Sequence, residues 1–84
     1  MKYKIICEVS FPALDKKMDI YVPINKSIEY LCNMLDKLIV ETISPDYNPK
    51  PNSILVNQRT GKVYDKNKLV KYEGLSNGTK LTYY

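Results

Sequence analysis

Apolar and polar residues alternate from Tyr3 to Phe11, with Tyr3, Ile5, Cys7, Val9 and Phe11 on one side and Lys4, Ile6, Glu8 and Ser10 on the other. A period of two is the signature of a half-buried strand. Pro12 and the Asp15-Lys16-Lys17 cluster interrupt it. Alternation then returns with Met18, Ile20 and Val22 against Asp19 and Tyr21, so a hairpin is expected. After Pro23 the period changes: Ile28, Leu31, Cys32, Leu35, Leu38, Ile39 and Thr42 recur every three or four residues, which predicts one amphipathic helix facing a core. Ser27 suits its N-cap, because the hydroxyl can accept a first-turn N–H. Pro45 disfavours helical geometry at Ser44, so the helix should stop near Ile43.

The segment Ser44–Ser53 holds three of the five prolines and has no apolar period, so it reads as a surface connection. Ile54-Leu55-Val56 then predicts a short strand, Gln58–Gly61 a turn and Lys62-Val63-Tyr64 a return strand. Leu69, Tyr72 and Leu75 are spaced for a compact loop with inward side chains. Asn77-Gly78 is the last turn, and in the final run Leu81 and Tyr83 oppose Lys80, Thr82 and Tyr84. Tyr30 and Met34 are expected at the edge of the core. Both sides of the proline-rich connection are needed for one core, so residues 1–84 are expected to form a single α+β domain. Its one long helix would lie across a mixed sheet of four or five strands.

Composition narrows the chemistry. A chain of 84 residues buries only about two-thirds of its unfolded surface, which argues against a deep catalytic cleft. It has no histidine, and its two cysteines, Cys7 and Cys32, fall on apolar faces, as expected of buried thiols. The acidic residues are scattered, no Gly-rich loop precedes the helix, and Ser or Cys nucleophiles would lack a histidine partner. No enzymatic activity, metal or cofactor is expected. The start, Met1-Lys2-Tyr3-Lys4 and then Ile5-Ile6-Cys7, is too short in its apolar part for a signal peptide, and no apolar run is long enough to cross a bilayer. A cytoplasmic location is therefore expected. Residues 1–56 carry seven basic and seven acidic side chains, so the whole net charge of +4 lies in the last third.

The order of hairpin, helix, short strands and closing strand resembles the ubiquitin-like β-grasp superfamily. Val22-Pro23 followed by Ser27-Ile28 resembles the ubiquitin entry to the helix, and Gly61–Tyr84 resembles the run from the strand-four turn to the last strand. That resemblance implies a final strand parallel to the first. It also makes Leu69, Leu75 and Leu81 buried and Tyr72 a buried loop fastener. A narrower similarity is to the YukD/EsaB family of type VII secretion in Gram-positive bacteria, carried by the finish Leu69, Tyr72, Leu75, Gly78 and Leu81.

Ubiquitin-type modifiers and sulfur carriers are activated through a flexible Gly-Gly tail. The glycines here are Gly61, Gly74 and Gly78, and the chain closes on Tyr83-Tyr84, so activation of that end is not expected. The resemblance then implies a non-conjugated adaptor that acts by being bound, as an accessory or regulatory part of a secretion machine. Its partner would be a cytosolic part of a membrane-bound secretion component. Strand parity and the family's usual binding face select Lys4, Ile6, Tyr21, Leu55, Thr82 and Tyr84, edged by Glu8, as the protein-binding surface. Exposed strand edges would also permit weak self-association. The alternative is a small basic RNA-binding module using Arg59, Lys62, Lys66, Lys68 and Lys80 with Tyr64, Tyr72 and Tyr84. It is the less favoured reading, since there is no RNA-binding signature run.

Overall fold

The computed structural model describes residues 3–84. Met1 and Lys2, the basic start of the chain, lie outside the described residues. The elements run β1 (Lys4–Phe11), a 3-10 turn (Pro12–Leu14), β2 (Lys16–Pro23), α1 (Ile28–Thr42), β3 (Leu55–Asn57), a second 3-10 turn (Val70–Tyr72) and β4 (Lys80–Tyr83). The sheet order is β2-β1-β4-β3. β1 and β2 are antiparallel, with Ile6 opposite Tyr21 and Cys7 opposite Ile20. β4 lies parallel to β1, with Val9 opposite Leu81, and β3 is antiparallel to β4. This is the α+β β-grasp arrangement that the element order implies. The parallel central pair exists because α1 and the segments after it carry the chain back across the sheet.

Local chemistry sets each boundary. At the hairpin, Asp15 takes a left-handed conformation (φ 51°), which a short polar side chain tolerates, and its N–H bonds Pro12 O at 3.2 Å. The tight turn leaves Lys16 and Lys17 inside β2, not in the turn expected for them. Ser27 Oγ accepts the Tyr30 N–H at 3.0 Å and caps α1. The buried stripe of α1 is Ile28, Leu31, Cys32, Leu35 and Ile39. Leu38 packs at the core edge, whereas Thr42 is exposed and its hydroxyl donates to Leu38 O at 2.7 Å. The helix ends one residue before Ile43, in keeping with Pro45 downstream.

The core is one cluster between α1 and the inner sheet face. Cys7, Val9 and Phe11 come from β1, Ile20 and Val22 from β2, Leu55 from β3, and Leu81 and Tyr83 from β4, with Tyr64 and Val70 added from the connections. Burying a large aliphatic or aromatic side chain contributes about 1.5–3 kcal/mol. Phe11 and Tyr83 meet edge to face, with ring centroids 6.3 Å apart.

Several expectations need correction. Tyr3 precedes β1 and is 59% exposed, so alternation ran one residue past the strand. Lys62-Val63-Tyr64 does not form a strand: Val56 and Val63 make an isolated bridge, with Asn57 N–H to Lys62 O and Tyr64 N–H to Leu55 O beside it. The sheet among the described residues therefore has four strands. Tyr72 is 72% exposed and fastens nothing, while its neighbour Val70 is buried. The Val70 N–H bonds Lys26 O at 2.8 Å, which turns Val70 inward and the side chain two residues later outward. Glu73 fastens the loop instead, as its Oε1 accepts the Asp65 N–H at 3.0 Å and its Oε2 the Lys62 ammonium at 3.1 Å. Leu69 and Leu75 are only partly buried, and Tyr30 is 47% exposed where a core edge was expected.

Candidate protein-binding face

The sheet face away from α1 is built from alternate residues of each strand. Along β1 it shows Lys4, Ile6, Glu8 and Ser10, and the β2 register places Tyr21, Asp19 and Lys17 beside the last three. β4 supplies Lys80 next to Glu8 and Thr82 next to Ser10, and β3 supplies Val56 next to Thr82. Tyr84 follows β4, where its N–H donates to Ile54 O at 3.0 Å.

Leu55 does not belong to this face. It lies opposite Tyr83 in the β3–β4 pair, points to α1 and is 1% exposed. Ile54-Leu55-Val56 is apolar throughout, so the run itself carries no alternation from which a face can be read. The pairing with β4 decides it, turning Leu55 in and Val56 out. Thr82 does point outward, but between Ser10 and Val56 it is buried to 9% exposure. The Gln58 amide reaches over β1 and β4, donating to Ser10 Oγ at 3.0 Å and Leu81 O at 3.1 Å.

The remaining candidates divide into two ends. Ile6 and Tyr21 form an exposed cross-strand pair at the start of β1. Ile54, Val56 and Tyr84 form an apolar group at the other end, beside the finish of β4. Between them runs the row Asp19–Glu8–Lys80, in which Glu8 takes Lys17 at 3.3 Å and Lys80 at 4.0 Å. Exposed ion pairs of this kind contribute little stability, but they make the middle of the face polar. Sequence reasoning missed Ile54 and Val56. The signal that could have found them is the inward position of Tyr83, which fixes the parity of any strand paired with it.

Outside this face, an open polar cleft lies between Asn57-Gln58-Arg59 and Ser76–Lys80. The Asn57 side chain accepts the Arg59 and Thr60 N–H groups, and Asn77 Oδ1 accepts the Ile6 N–H at 2.8 Å, so the cleft walls are tied down by their own amides. The residues named for RNA are not gathered into one surface. Tyr64 is buried, Lys62 is held by Glu73, and Tyr84 lies on the sheet face. Both thiols are buried, and burial pushes each up to about 11. Among the described residues no group of three Cys, Asp or Glu side chains is arranged to hold a metal ion, and no helix is long and apolar enough to cross a membrane.

No protein-family model matches the chain, and no curated protein matches it. Solved structures do. The N-terminal ubiquitin-like domain of the 4931431F19Rik protein superposes with a TM-score of 0.71 at 13% identity, over 98% of this chain and 74% of that one. The ubiquitin-like domain of an Arabidopsis thaliana protein gives 0.69 at 16%, over 96% and 76%. The ubiquitin of Caldiarchaeum subterraneum gives 0.70 at 11%, over 95% and 90%. Identities this low carry the fold and not the activity. With its four-stranded mixed sheet and single crossing helix, the chain has a ubiquitin-like β-grasp fold.

Proposed function

We propose that this protein is a non-conjugated, non-enzymatic ubiquitin-like adaptor of the cytoplasm, and that it serves a type VII protein secretion system of the kind the YukD/EsaB family accompanies. The observation that carries the adaptor role is the apolar group of exposed Ile54 and Tyr84 with half-buried Val56 on the sheet face that α1 leaves open. Aromatic and aliphatic side chains clustered beside a polar row suit the centre of a protein contact. The partner is a cytosolic part of a membrane-bound secretion component.

Support for the secretion role comes from the finish Leu69, Tyr72, Leu75, Gly78 and Leu81. Gly78, at φ 86°, makes the turn into β4 and donates its N–H to Ile6 O at 2.8 Å. The test is genetic: deletion should impair export of the system's substrates, and a Val56→Ala/Tyr84→Ala double variant, verified to be folded, should fail to restore it. Unchanged export on deletion would remove the secretion role. Full restoration by the double variant would remove the face.

A further inference from the structure

The chain has a second exposed surface, at the opposite end of the sheet from Ile54 and Tyr84. The segment following β2 and the segment leading into the second 3-10 turn are zipped together there. Ile28 N–H bonds Lys68 O, Glu29 N–H bonds Lys66 O, Val70 N–H bonds Lys26 O and Lys71 N–H bonds Ile24 O. Ile24 N–H in turn bonds Tyr3 O, which fixes the pair beside the start of β1. This zipper gathers Lys26, Lys66, Lys68 and Lys71, which are far apart in sequence, around the N-terminal end of α1. Among the described residues no salt bridge holds any of the four, whereas Lys17, Lys62 and Lys80 are each engaged by a carboxylate.

Two exposed tyrosines belong to the same pole. Lys26 Nζ lies 5.1 Å from the Tyr30 ring centre, and Lys71 Nζ lies 5.2 Å from that of Tyr72. The hydroxyls of both rings have no hydrogen-bond partner in the protein among the described residues. Glu29 and Asp65 are the acidic groups on these segments, and Asp65 Oδ1 is turned back onto the Asn67 N–H at 2.9 Å. The pole therefore presents four ammonium groups that no carboxylate holds, three of them exposed and Lys66 partly buried, and two phenol donors.

We propose that this pole docks an acidic peptide segment of a protein partner, rich in Asp and Glu. Ammonium and phenol donors match scattered carboxylates, and a field of one sign speeds encounter with a segment of the other. A nucleic acid fits less well. The four cations are all lysine, without the guanidinium fork that takes phosphate bidentately, and a lysine already occupies one face of each ring on which a base would stack. Placed opposite the apolar face, the pole gives an adaptor two contact surfaces. The inference deepens the adaptor reading but does not depend on secretion.

The test uses the whole chain and a fluorescein-labelled twelve-residue peptide of alternating Glu and Asp, read by anisotropy at several salt concentrations. Binding that weakens as salt rises is expected. It should fall at least about tenfold in a Lys26→Glu/Lys66→Glu/Lys68→Glu/Lys71→Glu variant that keeps the wild-type circular dichroism. A control reversing Lys16, Lys17, Lys37 and Lys50 carries the same net charge and should bind several-fold tighter than the pole variant. Equal loss in the control would show net charge alone and overturn the pole. No peptide binding at low salt would overturn the proposal outright, as would tighter binding to a single-stranded RNA of equal charge or to anionic vesicles. The Val56→Ala/Tyr84→Ala variant should bind the peptide as the wild type does, so failure of the sheet face and failure of the pole are read separately.

Discussion

Leu55 sits opposite Tyr83 across the β3–β4 pair, and both side chains point into the core beneath α1. Its neighbour Val56, one step along the strand, looks out beside Thr82. Leu55→Ala should therefore cost about 2–5 kcal/mol, the range for removing a buried leucine. Val56→Ala should cost less, about 1 kcal/mol, because that side chain is only partly buried whereas Leu55 is fully buried. Urea denaturation of the two variants checks the contrast, and a Val56 variant as unstable as the Leu55 one would reverse the assigned faces.

Glu73 ties the loop after β3 by accepting from Asp65 and Lys62. The hydrogen bonds from Lys62 and the Asp65 N–H hold its carboxyl below the ordinary value of 4.5. A depressed acid stabilises the fold when ionised, so its contribution is complete above the ordinary value and is lost as pH falls through the lowered one. The stability gap between wild type and Glu73→Gln should be constant near neutrality and shrink below about pH 4.5. Thermal melts from pH 3 to 7 would show it. Tyr72→Ala should leave stability within about 0.5 kcal/mol, as its ring is exposed.

Long-period patterns were legible in the chain because burial enforces them. The β1 and β2 alternation and the stripe from Ile28 to Ile39 each bury one face, and each was readable without any knowledge of neighbours. What escaped the sequence depends on a partner distant in the chain. Leu55 takes its face from Tyr83, and the two are 28 positions apart. The exposure of Tyr72 follows from a backbone bond between Val70 and Lys26. The basic pole was legible only in part for the same reason: Lys66, Lys68 and Tyr72 stand out in the basic last third, but Lys26 reads as a lone surface charge until the zipper brings it to them. Tyr84 was legible as an outward residue because it continues the parity of Leu81 and Tyr83.

Cys7 and Cys32 have thiols raised to about 11 by burial. At pH 8 both should stay protonated and react with a thiol reagent only when the protein opens. Folded protein should show almost no labelling over minutes, and denatured protein should show two thiols. A raised acid favours the folded state while protonated, so this contribution is constant below the ordinary thiol value of 9.0 and declines above it. Fast labelling of one cysteine in the native state would place that thiol at the surface.

The hydroxyl of Tyr83 joins three parts of the fold. It donates to Asp36 Oδ1 on α1 at 2.7 Å, while the Ser53 hydroxyl, 2.9 Å away, is left to donate to it. Asp36 also accepts from Tyr47 at 3.1 Å, so one carboxylate of α1 holds β4 and the proline-rich connection together. Burial pushes the Tyr83 phenol well above its ordinary value, opposed by the Ser53 donor and reinforced by the Asp36 carboxylate. Tyr47 is raised to about 12, first by burial and then by its bond to Asp36. Both phenols therefore stabilise the fold below pH 10.0 and withdraw that contribution as pH rises through their folded values. Absorbance titration of phenolate should show Tyr47 and Tyr83 ionising late, near unfolding. Tyr83→Phe should remove one of those late steps and cost about 1–3 kcal/mol at neutral pH, because Asp36 and Ser53 lose a buried partner. Tyr47→Phe should cost less, since that phenol lies nearer the surface and Asp36 keeps its bond from Tyr83. If the two variants were equally stable, the junction at Tyr83 would not be what fastens β4 to α1.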